Sequence, residues 1–115
     1  MKKDLIAHLE PKSYVSELFR TLRTNIQFMN SNKGLSSLLV TSTIPGEGKT
    51  WVSSNLAIAF AQADKKVVLI DADMRKCCLH NIFKVAPCPG LSNYLSGVNE
   101  KNFESQDLAN YIRVT

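Results

Sequence analysis

The loop Pro45-Gly46-Glu47-Gly48-Lys49-Thr50 restricts what this chain can fold into more than any other segment, because of what flanks it. Upstream, Leu35 to Ser42 is a short apolar run containing β-branched residues and bounded by Gly34 and Pro45, the pattern of a buried strand. Downstream, Val52, Leu56, Ala59, Phe60 and Ala63 recur at helical spacing from Lys49 to Ala63, and Asp64-Lys65-Lys66 closes that helix with a polar turn. Val67 to Ile70 then reads as a second buried strand. Strand, glycine loop, helix and strand in that order make a βαβ unit with parallel strands and a right-handed crossover. The fold class that follows is α/β, a P-loop NTPase-like doubly wound parallel sheet. Two strands supply only its N-terminal portion, since a sheet commonly has about 4–6.

The chemistry of the loop follows from its residue types. Cradling a phosphate takes backbone N–H groups with no side chains in the way, and Gly46 and Gly48 offer these at a helix N-terminus whose dipole favours anions. Lys49 is placed to reach the β- and γ-phosphates, and the Thr50 hydroxyl to ligate Mg²⁺. The nucleotide-contacting set is therefore Pro45, Gly46, Glu47, Gly48, Lys49, Thr50 and the adjacent Trp51. The strict motif has glycine where this chain has Thr43, so the assignment rests on the strand-loop-helix context. A second pair of chemical groups, Asp71 and Asp73, stands at the end of the second strand, where the ligand crevice of such sheets opens. Residues two apart on an extended chain share a face, so both carboxylates are candidates for a base or a Mg²⁺ partner; the alternative is that they cap the following turn.

Away from the loop, Val15, Leu18, Phe19, Leu22, Ile26 and Met29 form the apolar stripe of a helix over residues 14–29, with Ser13 as its N-cap and a stop at Asn30-Ser31-Asn32-Lys33-Gly34. Short helices are expected at Leu79 to Phe83, Leu91 to Leu95 and near Leu108 to Ile112, with a loop at Pro87-Cys88-Pro89-Gly90. Residues 1–12 read as an N-terminal extension and 13–115 as a partial domain. The net charge of +4 comes from scattered lysines and arginines with no basic run, which argues against nucleic acid. Leu56 to Ala61 and Val67 to Ile70 are far shorter than the ~20 residues of a membrane span, and Met1-Lys2-Lys3-Asp4 does not begin a secretory signal, so a cytoplasmic chain is expected. Cys77, Cys78 and Cys88, an odd count, fit neither a disulfide framework nor, with His80, a common zinc spacing, and read as small buried or semi-buried thiols.

Three motifs in order resemble one family. They are Ser16-Glu17-Leu18-Phe19-Arg20-Thr21-Leu22-Arg23, the loop at residues 45–50, and Val67-Val68-Leu69-Ile70-Asp71-Ala72-Asp73-Met74-Arg75-Lys76; Gly90-Leu91-Ser92-Asn93-Tyr94-Leu95-Ser96-Gly97 adds to them. Together they resemble bacterial protein-tyrosine kinases of capsular and exopolysaccharide biosynthesis. The resemblance implies an autophosphorylating kinase that uses ATP and Mg²⁺. In that family Lys49 and Thr50 belong to Walker A, and Asp71 and Asp73 to the motif called Walker A′. Asp71 would assist deprotonation of a tyrosine hydroxyl and Asp73 would help hold Mg²⁺. Glu17, Arg20 and Arg23 resemble the family's Glu-x-x-Arg-x-x-Arg motif for self-association, and a transmembrane activator is implied as a partner.

The chain also departs from the family. No counterpart of its Walker B strand or tyrosine-rich tail precedes Thr115, so the chain reads as truncated, and a non-catalytic nucleotide-binding remnant is the alternative. Trp51 stands where the family prefers a small residue, a position from which it would crowd the nucleotide, and Cys77 where it usually has proline. Partitioning-type deviant P-loop ATPases carry a signature lysine at the position of Ile44, which argues against that class. Tyr14, Tyr94 and Tyr111 are isolated and read as packing residues.

Overall fold

The computed structural model describes residues 4–29, 34–97 and 107–115. Met1 to Lys3, the expected helix stop at Asn30 to Lys33 and the polar tail directly after Gly97 lie outside the described residues. The chain divides into two compact units, Met1–Leu69 and Ile70–Thr115.

The first unit is built from α1 (Ile6–Leu9), α2 (Tyr14–Met29) and α3 (Lys49–Ala61). Ser13 caps α2 as its sequence position requires, its Oγ accepting the Ser16 N–H at 3.2 Å. Helix α3 ends in a Schellman-type turn with Asp64 at φ 57°: the Lys65 N–H donates to Phe60 O at 3.3 Å and the Asp64 N–H to Ala61 O at 3.1 Å. Aspartate tolerates the left-handed conformation better than most residues, so the helix stops there without glycine.

Phe19, Leu56 and Ala59 form the buried centre between α2 and α3, flanked by Ile6, Val15, Ile26, Val52 and Phe60. The apolar stripe expected on α2 is only partly the buried one. With about 100° per residue, Val15, Ile26, Arg23 and Ser16 cluster around Phe19, while Leu22, Met29 and Leu18 lie about 60–100° to one side. Those three are exposed, Met29 at 86%. Fully buried Ser16 takes the inward position instead, because its hydroxyl meets the backbone of the N-terminal segment, with Oγ 3.1 Å from Ile6 O and 2.6 Å from Glu10 O.

Among the described residues no strand is formed, so the expected parallel sheet is not present in this structure. Segments 35–42 and 67–70 carry no ladder, and Leu39, Val68 and Ile70 are exposed at 83%, 64% and 63%. A parallel strand is stable when neighbours bond both its edges and helices cover both its faces, and among the described residues neither run has a strand neighbour.

The second unit holds α4 (Leu79–Phe83), α5 (Leu91–Gly97) and a 3₁₀ turn at Leu108–Tyr111. The two short helices stand at their expected positions, with α5 running two residues longer. Asp107 caps the 3₁₀ turn by accepting the Ala109 N–H at 3.0 Å. Tyr94 and Tyr111 pack edge to face with centroids 5.3 Å apart, as packing residues would; Tyr14, in the first unit, is 77% exposed and does not fit that reading.

Candidate nucleotide-phosphate site

The site grows from the start of α3. Gly48 precedes the helix at φ 91° and Gly46 stands at φ 81°, both in the left-handed region that side chains rarely adopt. A Cβ at either glycine would meet open space, so backbone conformation and not crowding sets the requirement. Neither Thr43 nor Ile44 has positive φ, which is why the chain tolerates a β-branched residue where the strict motif has glycine.

The loop is braced from within. The Glu47 carboxylate accepts the Thr43 N–H at 3.2 Å and lies 3.4 Å from both the Thr43 hydroxyl and the Ile44 nitrogen. On the other side the Lys49 ammonium donates to Ser42 Oγ at 3.0 Å, and Ser42 Oγ donates to Ile44 O at 2.9 Å. Lys49 thus arches back over the loop to the residue that enters it, keeping its charge on the loop side of the helix mouth. Thr50 is half-buried in the first turn, where its carbonyl accepts the Ser53 hydroxyl at 3.1 Å. The loop, lysine, hydroxyl and helix N-terminus are therefore one contiguous set, the donor arrangement that suits a phosphate and a hard cation.

The Trp51 ring meets Phe19 edge to face, with centroids 5.2 Å apart and planes at 63°, so it joins α3 to α2. Ser42, which accepts from Lys49, and Asn55, buried in the body of α3, are residues that pattern reading passed over. Ser42 looks like the end of a strand, and Asn55 is the polar residue beside Leu56 on a helix read only for its apolar positions. A carboxamide on an inward arc was the available signal.

Asp71 and Asp73, in the second unit, shape their own loop. Asp71 Oδ1 accepts the Asp73 N–H at 3.1 Å, and Oδ2 accepts the Cys78 and Leu79 N–H groups at 3.0 and 3.1 Å. Asp73 Oδ1 accepts the N–H groups of Arg75 at 3.1 Å and Lys76 at 2.9 Å. The turn-capping role is thus visible in both carboxylates. Cys77 and Cys88 are exposed and Cys78 half-buried, so two of the three thiols are more open than expected. Among the described residues no group of His, Cys, Asp and Glu is arranged to hold a metal ion.

The Glu-x-x-Arg-x-x-Arg set divides. Glu17 and Arg20 form an exposed ion pair at 2.8 Å along α2, and Arg20 also donates to Pro11 O. Arg23 turns inward: its Nη1 donates to Ala59 O on α3 at 2.8 Å, and its Nε is buried without a partner. Among the described residues no helix is long and apolar enough to cross a membrane.

Comparison with known proteins agrees with the loop chemistry. Residues 38–111 match the family described as the CobQ/CobB/MinD/ParA nucleotide binding domain. Tyrosine-protein kinase YwqD of Bacillus subtilis (strain 168) is 47% identical over 95 residues, which cover 83% of this chain and 40% of that protein. Tyrosine-protein kinase etk of Escherichia coli (strain K12) is 44% identical over 92 residues, covering 80% of this chain and 13% of that one. The crystal structure of the chimerical protein CapA2B2 superposes with a TM-score of 0.77 at 40% identity, over 89% of this chain and 45% of that chain. The chain therefore spans less than half the length of each of these relatives. It belongs to the CobQ/CobB/MinD/ParA nucleotide-binding domain family, with tyrosine-protein kinases among its relatives at 44–47% identity.

Proposed function

We propose that this chain is the phosphate-binding part of an autophosphorylating protein-tyrosine kinase that uses ATP and Mg²⁺ and regulates capsular or exopolysaccharide synthesis. The observation that carries the reading is the braced loop at the mouth of α3, with two left-handed glycines, Lys49 arched over it and Thr50 in the first helical turn. The names of the relatives supply the acceptor chemistry. The loop N–H groups and Lys49 would bind and neutralise the phosphates, and Thr50 and Asp73 are the oxygen donors suited to Mg²⁺. The metal would contribute charge neutralisation across the phosphates. Asp71 is the group in this chain for taking a proton from a tyrosine hydroxyl, whose ordinary pKa near 10 makes it a weak nucleophile.

The doubly wound sheet belongs to the same reading. Segments 35–42 and 67–70, apolar and exposed, are the two that such a sheet would take in. So does self-association through α2, with Glu17 and Arg20 facing outward, and a transmembrane activating partner that would hold a cytoplasmic chain at the membrane. Sedimentation velocity of the wild type against Arg20→Ala tests the association. Equal sedimentation of the two as monomers contradicts it.

One observation favours a second reading, a non-catalytic nucleotide-binding chain: both Asp71 oxygens already accept backbone N–H groups. Incubating the purified chain with Mg-ATP and blotting for phosphotyrosine separates the two. A signal that disappears in Asp71→Asn supports the kinase, and nucleotide binding without any signal supports the second reading.

A further inference from the structure

Asn55 lies on α3, six residues after Lys49, and is fully buried. Its Oδ1 accepts the Ala7 N–H at 2.9 Å, and its Nδ2 donates to Asp4 O at 2.8 Å and to Trp51 O at 2.9 Å. Three of the four hydrogen-bonding positions of the carboxamide are thereby engaged. One side chain joins the N-terminal segment to the first turn of the helix that carries Lys49 and Thr50. Two further contacts secure the same segment. Gln62 Nε2 donates to Ala7 O at 2.9 Å, and the Ser16 hydroxyl sits between the Ile6 and Glu10 carbonyls. Ala7 itself is 1% exposed.

Packing alone does not account for this arrangement. An apolar side chain of similar size would fill the space beside Leu56 but leave the buried Ala7 N–H without the partner that Asn55 supplies. Asn55 instead satisfies two backbone groups of the N-terminal segment, about 50 positions away in sequence, together with Trp51 O in the loop helix. We propose that residues 4–10 form a clasp that closes on Asn55 and positions the phosphate-loop helix, so that clasp closure and nucleotide binding favour one another. Asn55 is in this account a positioning residue. It touches no phosphate, and it acts by fixing the first turn through Trp51 O. The inference rests on the nucleotide reading above, and because coupling between two sites is reciprocal it predicts an effect in each direction.

The test uses the full chain, with Asn55→Ala and the milder Gln62→Ala at an exposed residue. Mg-ADP affinity is measured at a temperature where circular dichroism shows each variant folded. Hydrogen exchange at the Ala7 amide is followed with and without saturating Mg-ADP. Affinity should fall about tenfold in Asn55→Ala and about threefold in Gln62→Ala, and Mg-ADP should slow Ala7 exchange several-fold in the wild type. A merely structural contact would lower the melting temperature and leave affinity and ligand-dependent exchange unchanged. That result overturns the proposal. If Asn55→Ala does not fold, Gln62→Ala and the wild-type exchange decide it. Failure of the wild type to bind Mg-ADP overturns the nucleotide reading and the coupling together, whereas normal wild-type binding with unaltered variants overturns the coupling alone.

Discussion

Gly48 holds φ 91° directly before α3, and Gly46 holds φ 81° two residues earlier. A side chain at either position carries a backbone cost of about 1–2 kcal/mol, since nothing nearby would be struck and only the conformation is at issue. Gly48→Ala should therefore lower stability by about that amount in thermal unfolding and weaken nucleotide binding, because relief of the strain shifts the backbone at the mouth of α3. At this scale the sequence was informative where residue type dictates backbone or charge. The glycines and the Ser13 cap stand where pattern reading expects them. It was uninformative where a side chain chooses between partners. Trp51, expected to crowd the nucleotide, leans on Phe19, and Arg23, grouped with Glu17 and Arg20, reaches Ala59 O instead. Spacing along a helix fixes an angle and not which neighbour the tip of a long side chain will meet.

The helices are the elements on which the first unit depends, and α3 is its centre, touching both α1 and α2. Leu56 is buried at that meeting point with Phe19 and Ala59. Leu56→Ala should destabilise the chain by about 2–5 kcal/mol, read as a shift in the denaturant midpoint, since the cavity would open between two helices that cannot fully close it. The exposed Glu17–Arg20 pair contributes far less, as ion pairs in water do. Helix positions were legible because a 3.6-residue period survives in the sequence whatever surrounds it, and α2, α3 and α4 begin where expected. The strands were not borne out in this structure. An apolar run of four to eight residues marks a segment suited to burial, and whether it is buried and paired depends on neighbours that no local pattern contains.

For the molecule as a whole, two units and an incomplete share of its relatives' length frame what can be assigned. The proposed nucleotide site is made of contiguous residues 42–50 within one unit, which is why a local sequence pattern suggests it. The proposed phosphoryl transfer would draw on Asp71 and Asp73 in the other unit, where both carboxylates accept backbone N–H groups as turn caps do. The claim on which the rest depends is that the loop at the head of α3 binds a nucleotide phosphate through Lys49. Isothermal titration of the chain with Mg-ADP, beside Lys49→Met, measures it directly. Saturable one-site binding by the wild type and a loss of at least about tenfold in Lys49→Met is the predicted result, in line with removal of a charge-assisted phosphate contact. Equal binding by the two proteins, or none by the wild type at millimolar nucleotide, would contradict it.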